Sequence, residues 1–112
     1  MSTHTIAVIA GDGIGQEVIP TGIAALERAT GGSGISLKFT DLPWGCDYYL
    51  KQGRMMDADG FGRLSKFDAI YLGAIGDPKV PDHIAVWDLL LPLRQGFQQY
   101  VNLRPMRLLA GL

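Results

Sequence analysis

Thr5-Ile6-Ala7-Val8-Ile9-Ala10-Gly11-Asp12-Gly13-Ile14-Gly15 joins an unbroken β-branched and apolar run to a glycine-rich stop. A run apolar at every position, rather than at alternate ones, predicts a strand covered on both faces. Beyond it a helical stripe runs from Gly15 to Thr30, with Val18, Ile19, Ile23 and Leu26 on one side and Glu17, Thr21, Glu27 and Arg28 on the other. Glu17 near its start and Arg28 near its end suit the helix dipole, and Gly31-Gly32 stop it. Pro20 removes a backbone donor inside this stripe, so a kink is expected there with the helix continuing.

Further out, the alternation of strands and helices repeats. Ile35 to Leu42 alternates cleanly and predicts a strand with one polar face. A short helix is expected from Cys46 to Gln52, stopped by Gly53, and Asp57 is expected to cap another through Phe61 and Leu64. Asp68 to Gly73 is almost wholly apolar, which predicts a third, central strand. Asp82 is expected to cap a helix that ends near Leu91, because Pro92 intervenes and leaves Arg94 just beyond it. Val101 to Leu109 reads as a last strand, with Pro105 placing it at an edge or a bulge. The fold class is α/β, a layered sheet with flanking helices.

The chain has 112 residues, about one small domain, with 47% hydrophobic and 19% charged residues. That low charged fraction suggests surface that more protein would normally cover. A net charge of −1, with no basic run, gives no case for nucleic acid or a membrane surface. The single Cys46 rules out an internal disulfide and fits a reducing compartment, and no signal peptide or spanning stretch is visible, so a cytoplasmic soluble protein is expected. Cys46 stands alone and reads as a small buried residue, and His4 and His83 read as solvent-exposed. Asp12, Asp77, Asp82 and Asp88 are too scattered for a metal site and suit capping or turn roles. There is no Ser-His-Asp arrangement.

Gly11-Asp12-Gly13-Ile14-Gly15 follows a strand and opens a helix, yet it is not the dinucleotide fingerprint. That pattern needs a glycine where this chain has Gln16, and no acidic residue follows at the right distance on a second strand end. Backbone N–H groups facing an anion or cofactor and a purely steric tight turn both remain open. A second glycine turn, Gly73-Ala74-Ile75-Gly76-Asp77-Pro78, leaves the third strand. Carboxyl ends of parallel strands are where such sheets place ligands, so both turns point to one shared edge; a plain connection is the alternative. Arg94 and Arg104 follow, ten positions apart. Two guanidinium forks on neighbouring elements can clamp the carboxylates of a small acid, while two surface ion pairs are the bland alternative.

In this order and at these separations, the first turn, the block Leu72-Gly73-Ala74-Ile75-Gly76-Asp77-Pro78-Lys79 and the block Asn102-Leu103-Arg104-Pro105 resemble the β-decarboxylating dehydrogenases of the isocitrate and isopropylmalate family. The resemblance covers nearly the whole chain. Val80-Pro81-Asp82-His83-Ile84-Ala85-Val86-Trp87 and Gln99-Tyr100-Val101-Asn102 look most like the D-malate and tartrate branch, and Trp87 stands where the isopropylmalate branch has glutamate.

The resemblance implies an NAD-dependent, divalent-metal-dependent oxidative decarboxylase of a 2-hydroxy dicarboxylic acid, D-malate or tartrate before isopropylmalate. Hydride transfer would precede loss of CO₂. It places Ile14, Ala74, Ile75 and Asp77 beside the nicotinamide of NAD, Arg94 and Arg104 on the substrate carboxylates, and Leu90, with Leu91, against the distinguishing group of the substrate. It puts the catalytic tyrosine and lysine, the aspartates for Mg²⁺ or Mn²⁺ and the adenosine-reading residues beyond residue 112, which leaves NAD versus NADP open. Leu109-Ala110-Gly111-Leu112 reads as a strand cut short. Residues 1–112 are accordingly expected to be one partial domain, the incomplete first part of the fold of a homodimeric two-domain enzyme, inactive alone. The competing expectation is a non-catalytic binding or assembly module retaining only the start of the fold.

Overall fold

The computed structural model describes residues 1–112. Three parallel strands, β1 (Ser2–Gly11), β2 (Ile35–Asp41) and β3 (Ala69–Ala74), form one sheet in the order β2-β1-β3. β1 pairs with β2 from Ser2 opposite Ile35 to Val8 opposite Asp41, and with β3 from Ile6 opposite Ala69 to Gly11 opposite Ala74. The all-apolar strand is therefore the central one, and Ala7, Val8 and Ile9 are fully buried. β3 was expected to be central as well, but it lies at an edge. Its apolar run reflects cover on its two faces, which says nothing about a neighbour in the hydrogen-bonding direction.

Helix α1 (Gly15–Thr30) runs unbroken past Pro20 and covers one face, with Ile19 against Gly73 and Gly22 against the Tyr71 hydroxyl. The other face carries the main core, where Ala7 and Ile9 meet Leu42, Trp44, Cys46, Met55, Leu64, Leu89 and Leu93. Helix α2 (Cys46–Gln52) ends at Gly53 as expected. Helix α3 (Gly60–Leu64) starts after Asp59 rather than at an Asp57 cap. The Asp57 carboxylate instead accepts from the Tyr48 hydroxyl and from Arg63 at 2.7 Å.

Four sequence expectations fail after β3. Asp82 is the first helical residue, not the cap, and the helical path does not stop at Pro92. It continues as α4 (Asp82–Ala85), a π turn over Val86–Leu90 and α5 (Leu91–Gly96). In the widened turn the Leu91 N–H donates to the Val86 carbonyl, five residues back. The extra residue relieves the clash that a proline ring makes one turn back in a regular α-helix. Arg94 is thus in the last turn of α5, not beyond a helix. Val101 to Leu109 forms no strand, for no other strand of the chain lies alongside to complete a ladder. Tyr100, Val101, Leu103, Met106, Leu108 and Leu112 stay exposed. No helix is long and apolar enough to cross a membrane.

Candidate functional site

All strands being parallel, their carboxyl ends share one edge. The chain goes from β1 to β2 on one side and then crosses to β3 on the other, so the topological switch point lies between β1 and β3. Both glycine turns leave the sheet there. Gly11 has a φ of +75°, and a side chain at that position would strike the Ala74 carbonyl oxygen and the Ile75 side chain. Only glycine allows both the left-handed backbone and this approach.

Asp12 follows, and it is buried. Its N–H donates to the Ala74 carbonyl at 2.6 Å and its own carbonyl accepts from Gly15 N–H at 2.9 Å. Its carboxylate accepts from Gly76 N–H at 3.0 Å, from Cys46 N–H at 2.9 and 3.1 Å, and from Asp47 N–H at 3.3 Å. The capping and turn role expected of Asp12 is present, but it spans three separate segments, which spacing alone could not reveal. Burial and, after it, the adjoining Asp12 carboxylate push the Cys46 thiol up to about 12, so this buried cysteine is no nucleophile near neutral pH.

The start of α1 offers no cradle for a phosphate. Its first amides are already used: Gln16 N–H donates to Gly13, and Glu17 and Val18 N–H donate to Ile14. Glu17 adds a negative charge in the same turn. What the turns present outward is apolar. Ile14 is 63% exposed, and Ala74 and Ile75 are half-buried. Asp77 lies one step on, its carboxylate accepting from Lys79 N–H at 2.8 Å and its carbonyl from Val80 N–H at 2.9 Å. The two turns bearing the four nicotinamide candidates are therefore fastened together.

The arginines are not. Arg94 is exposed on α5, and Arg104 is exposed on the irregular segment, where its Nε donates to Asn102 Oδ1 at 3.1 Å. The ion pairs formed are Lys51–Asp47, Arg54–Asp57 and Arg63–Asp57, so neither candidate guanidinium has an acid partner. Leu90 is half-buried at the end of the π turn, with Trp87 63% exposed on the same turn.

A cleft of about 680 Å³ opens between α1 and the β2–α2 connection, bordered by Gly11 and Asp12 of the first turn. Asp12, Glu27, Asp41 and Asp47 line it and no lysine or arginine does. An acidic hollow repels an anionic dinucleotide or dicarboxylate. Beside this cleft, Tyr48, Asp57, Arg54 and Arg63 form a polar group that sequence reading missed, with Arg63 5.3 Å from the centre of the Trp44 ring. It fastens α2 to α3, and no local motif announces it. No group of three or more His, Cys, Asp or Glu side chains is placed to hold a metal ion.

A family model described as isocitrate/isopropylmalate dehydrogenase matches residues 5–112. The D-malate dehydrogenase [decarboxylating] of Escherichia coli K12 is 52% identical over 114 residues, covering all of this chain and 32% of that protein. The tartrate dehydrogenase/decarboxylase of Pseudomonas putida is 52% identical over 116 residues, again over the whole chain and 32% of the relative. The crystal structure of a β-decarboxylating dehydrogenase from Thermococcus kodakarensis, in its apo form, superposes with a TM-score of 0.64 at 28% identity, over 87% of this chain and 27% of that one. The chain spans about a third of the length of the curated relatives it matches.

Proposed function

The chain belongs to the isocitrate/isopropylmalate dehydrogenase family, and from that premise we propose that it supplies the nicotinamide-side turns and two substrate arginines of an oxidative decarboxylase acting on D-malate or tartrate. The observation that carries this reading is the fastening of both glycine turns to each other at the β1–β3 switch point. The names of relatives that are half identical supply the substrate class. Trp87, exposed on the π turn, stands where the isopropylmalate branch has glutamate, which supports the D-malate or tartrate reading over the isopropylmalate one.

These residues fit the nicotinamide end of NAD. Ile14 and Ile75 offer apolar surface to a flat ring, and the close approach of Gly11 to Ala74 brings backbone from both turns next to it. NAD, when bound, supplies the acceptor for the hydride that leaves the hydroxyl-bearing carbon. The chain's own contribution is orientation and exclusion of water at that ring. Mg²⁺ or Mn²⁺ belongs to the same proposal, but these 112 residues assemble no ligand set for it.

Arg94 and Arg104, free of acid partners, bind the substrate carboxylates through paired N–H donors. Because Arg104 sits on a segment with no ladder to hold it, affinity for the dicarboxylate is low in this chain alone. The test is a titration with D-malate and tartrate, reading the Nε–H signals of both arginines. The reading predicts shifts at both, and their loss in Arg94→Lys and Arg104→Lys because lysine lacks the planar fork. No dicarboxylate-dependent change at either arginine would overturn it.

A further inference from the structure

We propose that Asp12 is a positioning residue for the nicotinamide, holding Ile14 and Ile75 at a fixed separation by using every polar group it has. This rests on the cofactor reading of the two turns given above. The Asp12 carbonyl accepts from Gly15 N–H, closing a tight turn around Gly13 and Ile14. The Asp12 N–H donates to Ala74 and its carboxylate accepts from Gly76 N–H, so the residues on either side of Ile75 are both bonded to Asp12. The same carboxylate takes the Cys46 and Asp47 N–H groups, which anchors the assembly in the main core. One buried side chain therefore sets where two apolar contacts, more than sixty residues apart in sequence, stand relative to each other.

The chemistry requires a carboxylate. Three backbone N–H groups converge on it, and an ionised carboxylate is an acceptor at both oxygens. An amide of the same size has one acceptor oxygen and turns an NH₂ group toward donors, leaving at least one of the three N–H groups without its partner. In Asp12→Asn the Gly76 contact is the one most easily released, because Cys46 and Asp47 lie together at the start of α2 while Gly76 stands alone on its loop. Freed there, Ile75 loses its register against Ile14, although the sheet beneath is unchanged.

The experiment is a titration of the isotopically labelled 112-residue chain with nicotinamide mononucleotide, read from backbone amide signals at a temperature where each variant remains folded. The unsubstituted chain, Asp12→Asn and Asp57→Asn are compared. Asp57 holds Tyr48 and Arg63 away from the turns, so it reports what a general loss of stability does. The expected result is nucleotide-dependent shifts at Gly13, Ile14, Ala74 and Gly76. Binding should weaken about tenfold or more in Asp12→Asn, the size of one lost charge-assisted hydrogen bond, and stay within about twofold in Asp57→Asn.

Equal binding by Asp12→Asn and the unsubstituted chain would overturn the proposal, and so would equal weakening in both variants, which would make the role purely structural. Absence of shifts in the unsubstituted chain would overturn the cofactor reading first and this proposal with it. If Asp12→Asn does not fold, amide exchange in the unsubstituted chain decides the matter. Nucleotide should slow exchange of Gly76 and of the buried Cys46 amide together, since both donate to one carboxylate; slowing at Gly76 alone would overturn the proposal.

Discussion

Residues 11–15 and 73–78 are bonded to each other at two points and to the start of α2 at a third, whereas no hydrogen bond joins Arg94 to Arg104 and the Arg104 guanidinium donates to its neighbour Asn102. The difference follows from where each region finds its partners. The turns leave adjacent strands of the same sheet, so backbone pairing has already brought them together. Arg94 rides on a helix packed through Leu89 and Leu93, but the segment bearing Arg104 has no strand beside it. The cofactor half of the proposed site is thus formed by this chain alone, and the substrate half is not.

That contrast breaks most readily at Gly11. Gly11→Ala forces a Cβ onto the Ala74 carbonyl at positive φ and should cost about 3 kcal/mol or more in urea unfolding. Gly13→Ala is the internal control. Its φ is +51° but nothing lies within 4 Å, so only the backbone term of about 1 kcal/mol remains. Equal losses at the two positions would mean that the turns are not in contact.

A second comparison sets acid against alkali. The Tyr48 hydroxyl holds the Asp57 carboxyl below the usual range, with Arg54 and Arg63 adding to it, and the Thr5 N–H does the same for Asp68. Depressed folded-state values give stability that is present above the unfolded-state pKa, about 4, and lost as pH falls through the folded values. Cys46, raised from 9.0 to about 12, and Tyr48, raised chiefly by Asp57, act in the opposite sense. Their stability is present below the unfolded values and lost as pH climbs through the folded ones. Urea midpoints should plateau from about pH 5 to 8 and decline on both sides. Asp57→Asn should flatten the acid limb and Cys46→Ala the alkaline one; unchanged limbs would refute these assignments.

The smallest effect is expected in the unpaired region. Leu103→Ser and Leu108→Ser, both more than 80% exposed, should change unfolding stability by no more than about 0.5 kcal/mol. A loss of several times that would show that residues 101–109 pack on the rest of the chain in solution.

The sequence made the sheet legible wherever local pattern and tertiary environment agreed. The all-apolar run at Thr5–Ala10 marks the buried central strand, and Gly53 marks the end of α2. It misled where the deciding interaction is non-local. Pro92 reads as a stop, but the π turn before it makes room for the ring. Val101–Leu109 has strand composition without a strand to pair with, and Asp57 has a capping residue's position but finds Tyr48 and Arg63 instead. At the candidate site the two turns and their shared edge were visible as glycine patterns after apolar runs. The tie between them was not, because nothing local in Gly-Asp-Gly says that the aspartate reaches Gly76 and Cys46.

The most direct test of the account is where NAD⁺ lands on the labelled chain. The account predicts that amide shifts gather at Ile14, Ala74, Ile75 and Asp77, on the β1–β3 side of the sheet edge. Shifts gathered instead around Gln16, Ile23, Trp44 and Tyr48, in the acidic cleft between α1 and the β2–α2 connection, would contradict it.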